Sequence, residues 1–207
     1  MRRVLSLCAI ACSLCACGTL FPSPGEPTKK YTLAALLSES GGSGGMISSQ
    51  PRLPQLIVDL PTLYPPIDNT RIALKPQEQV IDYFADVEWA DRLSALIQES
   101  FIYSLQSKGA LRGVSRPTEG IQADYALKVE VRKFYVEQQD VTHVSTALVD
   151  YMAHLVKLPE RHIVASRQFK HAQAIPEQTM DRIIKSLNTA HLEVSKALVP
   201  WVLQHVH

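Results

Sequence analysis

The run Tyr125-Ala126-Leu127-Lys128-Val129-Glu130-Val131-Arg132 alternates. Tyr125, Leu127, Val129 and Val131 are apolar, whereas Lys128, Glu130 and Arg132 are charged. Successive side chains of a strand point to opposite faces, so this run predicts a strand with one buried and one wet face. The phase slips at Lys133-Phe134, which predicts a bulge or a bend. Downstream, Val144–Leu158 is apolar on both faces: Ala147, Val149, Tyr151 and Leu155 on one, Val144, Leu148 and Met152 on the other. It reads equally as a central strand or as a strand that meets a partner. Ile163–His171 alternates again, with Ile163, Ala165 and Phe169 inward.

A last helix is expected from about Pro176. Met180, Ile183, Ile184, Leu187, His191, Val194, Ala197 and Leu198 trace one stripe. Pro200 removes a helical hydrogen bond and should end or kink it, with Trp201 packing beyond. Upstream, Asp86 is placed to cap a helix whose apolar positions are Trp89, Leu93, Leu96, Ile97, Phe101 and Leu105. Gly109 is a natural stop for it. Thr70–Leu74 and Gln79–Phe84 flank Lys75-Pro76-Gln77-Glu78 and read as a hairpin. Gln55–Leu60 is a buried-type strand stopped by Pro61. Leu63–Asn69, with Pro65 and Pro66, is a surface connection, and Tyr31–Leu37 looks like a first strand. The fold class predicted is α+β: a largely antiparallel mixed sheet with two helices packed on one face.

The N-terminus carries a different signal. Arg2 and Arg3 precede a short apolar run, Val4–Leu14, far below the roughly 20 residues that span a bilayer. These are the flanks and size of a secretion signal, which fold reasoning must set aside. Leu14-Cys15-Ala16-Cys17 has the pattern of a lipobox, with a weaker competitor at Ile10-Ala11-Cys12. Residues 1–16 are therefore expected to be removed and Cys17 to be the lipid attachment site. Its sulfur would carry diacylglycerol, and its freed amine a third acyl chain such as palmitate. One acyl chain binds a membrane marginally, whereas two or more anchor it. Gly18, rather than Asp, at the next position points to the outer membrane. Residues 17–30 hold Pro22, Pro24, Gly25 and Pro27 and read as a lipidated tether. About ten such residues reach at most roughly 35 Å. Residues 31–207 form the domain, and Ser38–Gln50 is a Ser/Gly-rich loop within it.

Composition narrows the chemistry. All four cysteines lie at or before position 17, so the domain has no disulfide, Cys-bound zinc or Cys nucleophile of its own. The chain has 21 basic against 20 acidic residues and no basic stripe, which argues against a nucleic-acid partner. Seven histidines invite a metal search. No pair has HExxH spacing, His143 and His154 fall on opposite faces of a continuous strand, and His205-x-His207 belongs to a frayed tail. There is no G-x-S-x-G elbow. Asp82, Asp86, Glu88 and Asp91 surround a helix start, where negative charge is expected. Gly41–Gly45 lacks the Lys-Ser/Thr of a phosphate loop. No catalytic residue, cofactor or metal site is expected.

Taken in order, several motifs form a set. Tyr31-Thr32-Leu33, Leu56-Ile57-Val58-Asp59-Leu60, Arg71-Ile72-Ala73-Leu74 and Val80-Ile81-Asp82-Tyr83-Phe84 come first. Trp89-Ala90, Leu93-Ser94-Ala95-Leu96-Ile97, Asp124–Val129 and Val164–Phe169 follow, and the set ends near Trp201. This ordered set, over about residues 29–203, resembles the ABC-type transport auxiliary lipoprotein family, to which PqiC-like lipoproteins belong. The resemblance implies a non-enzymatic lipoprotein and a fold like the N-terminal domain of TolB. It also implies a partner, an MCE-domain protein of an ABC-type system that moves lipid between inner and outer membranes. The Gly/Ser run and the doubly apolar strand Val144–Leu158 depart from the family pattern. The latter leaves open a homo-oligomer or docking to a ring. Two other classes compete: an outer-membrane assembly lipoprotein serving lipopolysaccharide or cell-wall export, and a periplasmic hydrolase.

Overall fold

The computed structural model describes residues 28–37, 53–138 and 145–207. The alternating run at Tyr125 opens the hub of the sheet, β7 (Tyr125–Gln138). One edge of β7 is paired along its length with β8 (Ser145–Lys157), antiparallel, and β8 in turn with β9 (His162–Ile175). Its other edge is shared end to end by three short parallel partners. These are β2 (Gln55–Val58), β3 (Thr62–Leu63) and β4 (Arg71–Gln77). β6 (Gly113–Ser115) flanks β2, β5 (Val80–Trp89) flanks β4, and β1 (Lys29–Tyr31) closes that side in parallel with β5. The long ladders are antiparallel and the short ones mostly parallel, so the sheet is mixed. Helices α1 (Leu93–Gln106) and α2 (Met180–His205) lie on one face of it, in the expected α+β arrangement.

The core lies between helices and sheet. Leu127, Tyr151 and Leu155 from the strands meet Ile97, Phe101, Leu187 and Leu198 from the helices, all buried. Edge-on aromatic pairs join Trp89 to Phe134 and Phe101 to Tyr151, with centroids 5.9 and 5.8 Å apart. Val144–Leu158 resolves as a central strand over its described part: Ala147, Val149, Tyr151 and Leu155 are buried, while Leu148 and Met152 are half-buried on the opposite, helix-free face. The phase slip is a bulge between Val131 and Lys133.

Several expectations change. The first strand ends at Tyr31, not Leu37, because residues 32–37 leave the sheet. β2 stops at Val58. The hairpin turn is tighter than expected, with β4 running through Pro76 to Gln77 and β5 starting at Val80. The connection from Leu63 to Asn69 is not wholly superficial, since Ile67 is buried. Asp86 caps nothing: it sits inside β5 at φ 58°, a left-handed conformation that Asp tolerates better than most residues. Trp89 is the last residue of β5, and α1 begins at Leu93. The carboxylate that serves the N-terminus of α1 is Asp68, which accepts from Ser94 N at 3.3 Å and from Arg92 Nη2 at 2.5 Å. α2 begins at Met180 rather than Pro176 and continues through Pro200 to His205. Pro200 and Lys196 both face outward, so water can serve the carbonyl that the missing N–H leaves free. Ala197 is exposed, outside the buried stripe. Ile163 is 57% exposed rather than inward, because the β8–β9 register shifts between Leu155 and Val156. The Ser38–Gln50 loop and His143 lie outside the described residues.

Candidate functional site

Ser100 and Ser104 of α1 and Ser107, the residue that caps its C-terminus, stand at i, i+4 and i+7 and share one face. They hold the segment that follows β1. Ser100 Oγ donates to Ala34 O at 2.7 Å, Ser104 Oγ accepts from Leu36 N at 2.8 Å, and Ser107 Oγ donates to Leu36 O at 2.9 Å. From α2, Asn188 Oδ1 accepts from Ala34 N at 2.7 Å. Residues 32–37 thus form a strap against both helices, with Leu33 and Leu36 packed on the core. The N–H and C=O groups of Ala34 and Leu36 are met by side chains in place of a neighbouring strand, which is why the expected strand is cut short.

Beneath the strap sits His191, fully buried on α2. Its Nε2 is 2.7 Å from Ser100 Oγ and its Nδ1 2.8 Å from the Tyr151 hydroxyl. Ser100 spends its one proton on Ala34 O, so it must accept from His191 Nε2–H. Nδ1 is then the acceptor for Tyr151. The chain of bonds therefore closes only with neutral imidazole. Burial lowers the His191 pKa from 6.5 to about 4 and pushes the Tyr151 phenol well above its ordinary value. A serine beside a histidine resembles an activated nucleophile. Here Ser100, Tyr151 and His191 are at most 2% exposed, among Phe101 and Phe134. The network ties strap, helices and sheet together.

The remaining histidines do not converge. His154 Nδ1 lies 2.7 Å from Ser166 Oγ, and His205 Nδ1 lies 2.7 Å from Trp201 O. Among the described residues no three His, Cys, Asp or Glu side chains gather as metal ligands. The C-terminal tail is not frayed as expected. Tyr125 donates to His207 O at 2.8 Å, and Val206 is buried. Trp201 stacks edge-on against Phe169, 5.4 Å between centroids.

Among the described residues no helix covers the other face of the sheet, which is charged. Lys75–Glu137, Lys128–Asp59 and Arg132–Glu130 are ion pairs on or beside it. Lys133, Asp150 and Lys170 are register partners across β7, β8 and β9. They line a concavity of about 440 Å³ with Leu148 and Ala172. Asp150 is 9% exposed, and both its oxygens accept from Gln168 Nε2 at 2.9 Å. Tyr135, in the next row, has its pKa raised by burial, then by Glu137 and Asp150. Sequence reading found neither this row nor the strap. The serine spacing in α1 was a visible signal for the strap, whereas the row requires the β7–β8–β9 register. Cys17 lies outside the described residues.

A mixed sheet with two helices on one face, and an N-terminal strap held against both helices, defines a small two-layered α+β module. Residues 36–199 match the family described as the ABC-type transport auxiliary lipoprotein component, and the chain belongs to that family. The family is one of auxiliary transport components. Among solved structures, a protein of Xanthomonas campestris superposes with a TM-score of 0.67 at 24% identity, over 73% of this chain and 85% of that one. A hypothetical protein of Chlamydia trachomatis gives a TM-score of 0.51 at 10% identity, over 74% of this chain and 98% of that one. Both likenesses concern the fold. An uncharacterized protein of Bradyrhizobium diazoefficiens is 26% identical over 120 residues, 58% of this chain but only 32% of that relative's length.

Proposed function

We propose that this chain is a non-enzymatic, lipid-anchored component of an MCE/ABC-type system that moves lipid between the inner and outer membranes. The observation that carries this reading is the family match over residues 36–199. In this reading acyl chains on Cys17 hold the chain at the periplasmic face of the outer membrane. The domain then docks an MCE-domain protein and needs no catalytic residue or cofactor. The geometry is in keeping: the Ser–His pair is buried in the core, and the strap that follows β1 is bonded to both helices.

Affinity capture of the tagged protein from gently solubilised native membranes, read by mass spectrometry, tests the partner. Enrichment of an MCE-domain protein is the expected result. Recovery of a different envelope complex, with no MCE protein even after crosslinking, would refute the assignment in favour of an assembly lipoprotein of another machine. Cys17→Ala should release the protein from membranes and impair transport. Full restoration of the barrier by that soluble form would overturn the anchoring role.

A further inference from the structure

We propose that the row Lys133–Asp150–Lys170 on the open sheet face binds a phosphate group that carries an ammonium a few atoms away, as in phosphoethanolamine. The inference stands on the charges of this row and does not depend on the transport assignment.

The starting point is Asp150. It is nine-tenths buried, yet among the described residues its carboxylate receives only the neutral amide of Gln168. A carboxylate offers about four acceptor positions, and one taken from water without a cation or further donors is costly. Lys133 and Lys170 are its register neighbours on either side, but among the described residues neither is ion-paired. Other lysines on this side of the sheet are engaged: Lys75 with Glu137 and Lys128 with Asp59. The row therefore keeps two exposed cations and one sunken anion open together.

The backbone is arranged to make it so. In unbroken alternation Lys133 would point into the core with Val131. The bulge between Val131 and Lys133 resets the phase, so that Lys133 falls beside Asp150 and Phe134 turns inward. Bulges commonly re-aim a side chain in this way. Adjacent strands lie about 4.8 Å apart, so the backbones of β7 and β9 stand roughly 10 Å apart with Asp150 between them, a span that two long lysine side chains can close over a phosphate held above the carboxylate by its ammonium.

The sign pattern selects the ligand. A simple anion would meet the lysines but be repelled by Asp150. A simple cation would meet Asp150 but be repelled by both lysines. A phosphate with an ammonium attached satisfies all three, with the ammonium on Asp150 and the phosphate oxygens on Lys133 and Lys170. Leu148 and Ala172 line the same concavity and offer an apolar surface to carbon adjoining the phosphate.

The test uses the mature chain carrying Cys17→Ala, so that no acyl anchor interferes. Dihexanoyl phosphatidylethanolamine and dihexanoyl phosphatidylglycerol are titrated below their micelle concentrations, with free phosphoethanolamine in parallel. Binding is read from backbone amide shifts. Saturable shifts centred on the row are expected, with the ethanolamine lipid favoured about tenfold over the glycerol lipid through its charge-assisted bond to Asp150. Asp150→Asn, which keeps the shape and the Gln168 contact, should abolish that preference. The exposed Lys133→Gln/Lys170→Gln pair should weaken both lipids about tenfold. Free phosphoethanolamine binding as tightly as its lipid identifies a soluble headgroup as the ligand, and tighter binding of the lipid identifies a membrane lipid; either supports the site. Three results overturn it: equal affinity for the two lipids, a preference that survives Asp150→Asn, or no saturable shift up to about 10 mM, a dissociation constant too weak to matter. Matching melting curves for all variants establish that the fold is intact.

Discussion

His191 should make the folding of this protein acid-sensitive in a window set by one imidazole. In the folded chain its pKa is held at about 4 by complete burial. Unfolding exposes the ring and restores a value near 6.5. Between pH 4 and 6.5 the unfolded chain therefore binds a proton that the folded chain refuses. Stability is fully present above pH 6.5 and is lost as pH falls toward 4. The whole difference amounts to roughly 3 kcal/mol at about 1.4 kcal/mol per pH unit, and about 2.5 kcal/mol of it is gone by pH 4.5. For a domain of this size that corresponds to about 5–10 °C in Tm. Carboxylates also titrate in this range, so the measurement is a difference. Urea unfolding is followed at pH 7.5 and 4.5 for the natural chain and for the His191→Leu/Tyr151→Phe variant, in which the imidazole and the hydroxyl that bonds it are both removed. The natural chain should lose about 2.5 kcal/mol more than the variant. Equal losses would show that His191 is not held neutral in a dry core.

Tyr151→Phe alone leaves Nδ1 of His191 buried without a donor and should cost about 1–3 kcal/mol in chemical denaturation. Adding His191→Leu should cost less than the sum of the two single changes, and strict additivity would contradict the bonded pair. Asn188→Ala, which removes the acceptor for Ala34 N, should cost about 1 kcal/mol and speed hydrogen exchange at Ala34 and Leu36 while β7 amides remain protected. Exchange at Ala34 as fast as in an unfolded chain before any mutation would show that the strap is not held. Asp68→Ala should destabilise the protein by about 1 kcal/mol as a lost helix cap, although it lies 26 residues from Ser94 in sequence. Urea unfolding reads that loss, and an unchanged midpoint would refute the capping role of Asp68.

What the sequence disclosed and what it hid divide along physical lines. The alternation at Tyr125–Val131 and the stripe Ile183–Leu198 are local periodicities, each dictated by burial of one face, and both elements formed as read. The slip at Lys133-Phe134 was equally local and is the bulge. The errors arise where a distant partner overrides a local rule. Asp86 and Trp89 fit a helix start by residue type, but pairing with β4 draws them into β5, and Asp68 takes over the capping. Residues 32–37 have strand composition, yet side chains of α1 and α2 claim their backbone groups. Pro200 breaks the rule for helix interiors because its side of α2 faces water. The open-face row was illegible for a stricter reason. Lys133, Asp150 and Lys170 are aligned only by the registers of two ladders, and a shift of one residue in either would scatter them to opposite faces.

The strap explains a feature of α1 that core packing alone does not. Ser94, Ser100 and Ser104 are all buried in a helix whose other inward residues include Leu93, Ile97, Phe101 and Leu105. Serine gains little from burial and carries a hydroxyl that must find a partner, so such positions weaken an ordinary core. For Ser100 and Ser104 the partners are backbone groups of the strap. An unmet buried backbone group costs about 1–3 kcal/mol, so the serines are stabilising only while residues 32–37 are in place, and the strap is stable only while the serines are present. That mutual dependence extends through Ser100 to His191 and Tyr151, and so to the central strand β8. The chain thus enters its domain through the edge strand β1, and the segment that follows is fastened through the helices to the middle of the sheet. If the residues before β1 are a membrane tether, a pull on them is borne first by the pairing of β1 with β5 and then by the strap, which is locked into the core.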